Sequence, residues 1–440
     1  MSRIFLSLLI ATLSVVLNAR AQTAPAGDDV GAAQVDGIYP AIEQLYRDLH
    51  SNPELAFQEH RTAATLAARV KALGYEVTTG VGGTGIVAIL KNGPGPVVML
   101  RTELDALPMA EKTGLPFAST VTSKNNTGEV VPVAHMCGHD IHMAAWVGTA
   151  ELMAKNREHW QGTLMLVGQP AEEIVSGANA MIRDGLFTRF PKPDYALGIH
   201  DEMSLPAGVI GFHAGYFRAN STGLEMTIYG KGGHGAFPQS AIDPVVIAAR
   251  IVIGLQTVVS RETNPMDPAV VTVGSIHGGS ASNIIPDQVT LQITVRSLDP
   301  AVQKRLLAAI ARQAKGEALA ANAPKEPLIE TLSNTDAVYN DPDLVQSMVV
   351  AARAELGADR VVEMPAQMGG EDFSQFGLAG VRIVLLHVGA VDAAKLDASR
   401  KSGVPLPSVH SPLWAPEHEP TIKAAIRAET AILMDLLKSP

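Results

Sequence analysis

Residues 163–200 read TLMLVGQPAEEIVSGANAMIRDGLFTRFPKPDYALGIH. The apolar run Thr163–Gly168 reads as a buried strand, Ser176–Asp184 as a helix, and Tyr195–His200 as a second buried strand. Strands that are apolar along their whole length, separated by helices, predict parallel neighbours covered on both faces. The same alternation extends outward. Helical patterns run from about Val35 to His50 and from Glu59 to Leu73, the latter stopped by Gly74. Short apolar runs at Gly85–Leu90 and Pro96–Arg101 read as strands, and a helix covers 141–155.

The texture changes around 213–220. Leu224–Gly230 reads as a strand, Pro244–Arg261 as an unusually apolar helix, and Val270–Ile276 and Val289–Ser297 as two strands. A helix over Ala301–Ala321 and a strand near 328–332 complete a strand-helix-strand-strand-helix-strand set, which suits a small two-layer α+β domain. The α/β pattern resumes with helix 341–356, strand Val381–Val388 and helix 420–437. The expected organisation is an α/β catalytic domain, with a mostly parallel sheet and helices on both faces, in two parts (36–212 and 333–440). A ferredoxin-like α+β lid or dimerisation domain (213–332) is inserted between them.

Composition narrows the function. The chain has 440 residues, which suggests about two or three domains at roughly 150 residues each. A hydrophobic share of 47% against 18% charged excludes global disorder. One cysteine excludes an internal disulfide and a cysteine-rich zinc module. A net charge of −10 argues against nucleic-acid binding, which needs a basic face. Met1-Ser2-Arg3, the apolar run Ile4–Leu17 and Ala19-Arg20-Ala21 read as a signal peptide over 1–21, cleaved before Gln22. That predicts an exported protein, periplasmic or secreted, with no membrane association after cleavage.

Several short motifs carry chemistry. Gly80-Val81-Gly82-Gly83-Thr84-Gly85 satisfies GxGxxG but precedes a strand instead of opening a helix, so dinucleotide binding is not expected. His135-Met136-Cys137-Gly138-His139-Asp140-Ile141-His142 packs three histidines, an aspartate and the sole cysteine into one run. A thiolate and an imidazole two residues apart reach one metal if the chain turns at Gly138; a buried inert cysteine beside surface histidines is the bland alternative. Glu172 and Glu173 follow a strand end, where one carboxylate can ligate while its neighbour moves a proton; an ordinary acidic helix start would look the same. Glu103 and Asp105 share a strand face, and Asp105 could orient a ligating histidine. His200 and His410, each alone, read as ordinary histidines.

Taken in order, DALP (105–108), HMCGHD (135–140), QPAEE (169–173), the strand-end His200, GKGGHG (230–235), SNIIPD (282–287), MGGEDF (368–373) and HSP (410–412) resemble one branch of a known family. This is the aminoacylase, hippurate-hydrolase and auxin-conjugate-hydrolase branch of the dinuclear-metal carboxypeptidases, and the resemblance spans roughly residues 36–437. It implies an amidohydrolase that cleaves N-acyl amino acids with metal-activated water and two divalent metal ions per subunit. Zinc or manganese suit the donors, with cobalt or nickel as alternatives. Carried over residue by residue, Cys137, His139, Glu173, His200 and His410 would be metal ligands and Glu172 the general base. Asp105 would orient His139, His234 would polarise the scissile carbonyl from the lid, and Asn283 and Arg296 would bind near the substrate carboxylate. In some relatives the lid histidine reaches across a dimer, so a homodimer through the lid is an expectation too. Glu103 stands where the family more often has aspartate, and its role is open. The competing readings are a carboxypeptidase or dipeptidase on the same machinery, and a non-catalytic binding homologue, which predicts an eroded ligand set.

Overall fold

The computed structural model describes residues 31–438; the expected signal segment 1–21 lies outside them. Its centre is an eight-stranded sheet in the spatial order Glu76–Val81, Gly85–Asn92, Gly162–Gln169, Val97–Glu103, Tyr195–Pro206, Arg382–Val391, Ile210–Phe212, Val361–Glu363. The four inner strands from Gly162–Gln169 to Arg382–Val391 are mutually parallel, and antiparallel pairs flank them.

Alternation along the strands builds two cores. Leu164 and Leu166 point to one side with Leu100, Leu197 and Ile199; there the helices Ala32–Ser51, His139–Lys155 and His418–Leu436 cover the sheet. Met165 and Val167 point to the other side with Met181, Phe217, Phe373 and Phe376. Helix His139–Lys155 is buried nearly all round, as expected for an element apolar on every face. It begins at Gly138, held at φ 78°, where an added Cβ would lie 2.5 Å from an Asp201 carboxylate oxygen. Only glycine fits that turn.

A separate four-stranded antiparallel sheet runs in the order Ala269–His277, Gln288–Ser297, Asn220–Tyr229, Leu328–Thr335. Helices Pro244–Glu262 and Pro300–Ala320 pack on one of its faces around Ile228, Ile251, Leu291 and Ile310. The apolar helix buries Ile247, Ile251, Leu255 and Val258 there, while Val246 and Ile253 on its outer side are exposed. Among the described residues, no helix packs on the opposite face of this sheet.

Three strands of the central sheet escaped the periodicity reading. Glu76–Val81 is a Thr-rich, mostly solvated edge strand with one buried residue, and it pairs with Gly85–Asn92 through the glycine turn at 82–83. Ile210–Phe212 and Val361–Glu363 have three residues each, too few to show a period.

Candidate metal centre and its cavity

Parallel strands open their carboxyl ends on the same edge of the sheet, and loops leaving that edge build the site. Glu103 and Gln169 are partners at adjacent strand ends. Asp105 follows the first strand, Glu172 and Glu173 the second, and His200 sits in the third opposite His387. Cys137 and His139 flank the Gly138 turn. His410 comes from a distant loop, at φ 63°, with its amide donating to Met136 O at 2.6 Å. Ala171, at φ 51°, and Val175, at φ 48°, are strained residues beside the cluster too; the Ala171 N–H is held by Glu59 at 2.8 Å.

Four chain segments thus converge. Cys137 Sγ lies 3.5 Å from His200 Nε2 and 3.2 Å from His410 Nε2. His410 Nε2 is 3.4 Å from Glu173, and His139 Nε2 is 3.8 Å from Glu172 and 4.0 Å from Glu173. Donor atoms of Cys137, His139 and His200 lie within 4.8 Å of one another, as do those of Cys137, Glu173 and His410 and those of His139, Glu172 and Glu173. The first two groups share the thiol.

Buried polar neighbours hold these groups. The Asp105 carboxylate accepts the backbone N–H groups of Glu172 and Glu173, each at 3.0 Å, and its carbonyl meets His139 Nδ1 at 2.8 Å. Its carboxylate is farther from that ring, at 3.7 Å, so Asp105 orients the histidine chiefly through its main chain and the glutamates through its side chain. Asp201 serves His200 similarly, with its carbonyl 2.8 Å and its carboxylate 3.2 Å from Nδ1. Glu103 bridges the Arg101 guanidinium and His142 Nδ1, the latter at 3.0 Å. Arg101 is fully buried and also reaches Glu371 at 2.8 Å, Asp372 at 3.3 Å and Gln169 at 3.0 Å, tying the MGGEDF loop to two strand ends. This network was not foreseen; nothing in the spacing of Arg101 and Glu371, 270 residues apart, announces it.

The charge balance shows what the cluster is suited to hold. Burial pushes the Cys137 thiol well up, and Glu173 and Glu172 push it further. Burial, then Glu371 and Glu173, raise Glu172, and burial raises Glu173 to about 8. Burial and Glu173 likewise raise Asp105. In the opposite direction, burial pushes His139 well below the usual imidazole range and lowers His410. At Glu103, Arg101 and His142 outweigh burial and hold the carboxyl well down, and at Asp201 His142 and His200 do the same. A cluster that disfavours both its anions and its imidazolium forms fits a divalent cation, which pairs with carboxylate and thiolate and accepts neutral ring nitrogens. His139 Nε2 and Glu173 Oε1 are buried with no hydrogen-bond partner, as open ligand positions would be.

The cluster forms one wall of a cavity of about 400 Å³. Cys137, Glu172, Glu173, His200 and His410 face Ser221, Arg296 and Ser333 from the helix-free side of the second sheet, together with Arg218. Register accounts for that wall: Ser221 pairs with Arg296, and Gly223, two residues on, pairs with Ser333. His234 and Asn283 are not brought there. They are exposed neighbours on the ribbon formed by Gly233–His234 and Ile284–Ile285, outside the cavity lining.

A model of peptidase family M20/M25/M40 matches residues 99–401. The chain is 35% identical over 346 residues to IAA-amino acid hydrolase ILR1-like 2 of Arabidopsis thaliana, covering 77% of this chain and 74% of that protein. It is 35% identical over 337 residues to N-acetyl-L-cysteine deacetylase of Bacillus subtilis (strain 168), covering 76% of each. Among solved structures, the Bacillus subtilis YXEP protein, a dinuclear metal binding peptidase from the M20 family, matches with a TM-score of 0.74 and 28% identity, over 90% of this chain and 98% of that one.

Proposed function

We propose, for a chain that belongs to peptidase family M20/M25/M40, that Cys137, His139, Glu173, His200 and His410 hold two divalent cations and that Glu172 is the general base of amide hydrolysis. The protein is a metal-dependent hydrolase of amide bonds in N-acyl amino acids or peptides. The observation that carries the residue assignment is the convergence of these five donors from four segments, with Glu172 bordering them and two donor atoms left open. A thiolate with several imidazoles suits zinc, and the carboxylates suit manganese.

Bound cations supply Lewis acidity toward the scissile carbonyl and lower the pKa of a nearby water. The rest falls to the chain. Glu172 sits at the rim of the ligand set, its backbone fixed by Asp105, and it takes the proton of the attacking water and returns it to the leaving amine. Arg296, fastened by Nη1 to Met368 O at 2.8 Å, offers its remaining donors to the carboxylate of the amino-acid half. The exposed ribbon gives His234 a role if a second copy of the chain presents it, which is the homodimer expectation.

The test is a substrate panel on metal-reconstituted protein. N-acetyl and N-benzoyl amino acids are expected to turn over faster than dipeptides. The reverse order makes the protein a dipeptidase or carboxypeptidase on the same machinery, and no turnover on either overturns the assignment. A smaller effect is expected from Asp105→Asn, which keeps one of two acceptors for the Glu172 and Glu173 amides. Metal affinity, read by competition with a chromogenic chelator, should fall roughly 10–100-fold, the range for an outer hydrogen-bond partner of a ligand.

A further inference from the structure

Arg218 was not singled out by any motif, yet it stands in the cavity wall with Arg296. It ends the strand Gly215–Arg218, whose partner is Val338–Asn340, and it bridges to Gln367. Its side chain is fastened to neutral acceptors only. Nη1 donates to Gln367 Oε1 at 2.9 Å and Nη2 reaches Gly370 O at 3.5 Å, while Nε is buried with no partner. Gln367 is itself held, because its Nε2 donates to Glu202, which accepts from His387 Nδ1 at 2.9 Å. Arg218 is therefore set in place before any ligand arrives.

Neither Arg218 nor Arg296 has a carboxylate within 4.0 Å among the described residues. The contrast with Arg101 is direct, since that guanidinium meets three carboxylates. Two guanidinium groups lining one cavity, neither in ion-pair range of a carboxylate among the described residues, repel each other, and burial and Arg218 together lower the proton affinity of Arg296. The two come from different elements, Arg218 from the end of Gly215–Arg218 and Arg296 from Gln288–Ser297. Arg218 bears on Cys137, Glu173 and His410, the thiol, carboxylate and imidazole of the candidate metal cluster. One substrate carboxylate at Arg296 would leave the buried Nε of Arg218 without an acceptor.

We propose that Arg218 binds a second carboxylate of the substrate, so that the favoured substrates are dianionic N-acyl amino acids. This means either N-acyl derivatives of a dicarboxylic amino acid or amino acids carrying a dicarboxylic acyl group. The proposal rests on the hydrolase reading of the site and on Arg296 as the first carboxylate's partner. It adds a residue that decides specificity through a planar, bidentate fork, which a neutral isostere of the second carboxylate cannot satisfy.

The experiment measures binding without turnover. Metal-loaded protein carrying Glu172→Gln is titrated calorimetrically with N-acetylglutamate against N-acetylglutamine, and with N-succinylalanine against N-butanoylalanine. At least one charged ligand is expected to bind about tenfold tighter than its neutral isostere, and the pair that shows it tells which half carries the second carboxylate. Adding Arg218→Gln should bring that ratio to about one, and Arg218→Lys should restore part of it, with unfolding midpoints checking that both variants fold. Equal affinities in both pairs, or a loss in Arg218→Gln that is the same for charged and neutral ligands, overturns the proposal. Wild-type turnover of N-acetylglutamine keeps the two levels apart. If that substrate is hydrolysed while the binding ratios are flat, Arg218 is misassigned and the hydrolase reading stands. If no ligand is hydrolysed, the hydrolase reading fails, and the ratios still decide whether Arg218 reads charge.

Discussion

Glu172→Gln is expected to lower kcat by about 10²–10⁴-fold, the range for a positioned general base, while metal content and the unfolding midpoint stay close to those of the unchanged protein. The substitution keeps the side chain's shape and its place in the loop, because the Glu172 backbone N–H is held by Asp105 and not by its own carboxylate. It also removes one negative charge from a cluster in which Glu371 and Glu173 already press against it. The fold therefore has no reason to weaken. Steady-state kinetics with an N-acyl amino acid, beside metal analysis of the same preparation, checks both halves. Full activity would remove Glu172 from the reaction, and lost metal would make it a ligand instead of a base.

Much of the molecule could be read from the chain because local pattern and tertiary environment agree. Leu164–Val167 and Ala196–Ile199 are apolar at consecutive positions, and the structure buries them between two cores. Cys137 and His139 could be paired on paper because Gly138 lies between them, and the left-handed turn there is what brings the two donors together. What stayed hidden is held by contacts between residues far apart. Arg101 with Glu371 and Asp372, and Arg218 with Gln367, are single residues in unremarkable strands until the sheet brings them together. Glu103 is a related case: the sequence leaves its extra methylene unexplained, and the structure uses it to span Arg101 and His142. His234 and Asn283 mark the opposite limit, since motif order placed them in the site and the single chain leaves them exposed on a lid ribbon.

The sole cysteine bears on everything claimed for the site. Cys137 is buried, it shares one donor group with His200 and another with His410, and burial with Glu173 and Glu172 pushes its thiol well up. A bound cation reverses that penalty, because a coordinating thiol is deprotonated. Cys137→Ser exchanges a soft donor for a hard one at nearly constant volume and leaves the Gly138 turn and the Asp105 clamp in place. The decisive measurement is metal content by mass spectrometry of dialysed Cys137→Ser protein, read beside N-acyl amino acid turnover and the unfolding midpoint of the metal-free form. The expected result is a protein that folds normally, has lost metal by more than the roughly 10–100-fold typical of an outer partner, and has lost turnover with it. A Cys137→Ser protein that keeps its metal and its activity would contradict a cation centre built around this thiolate.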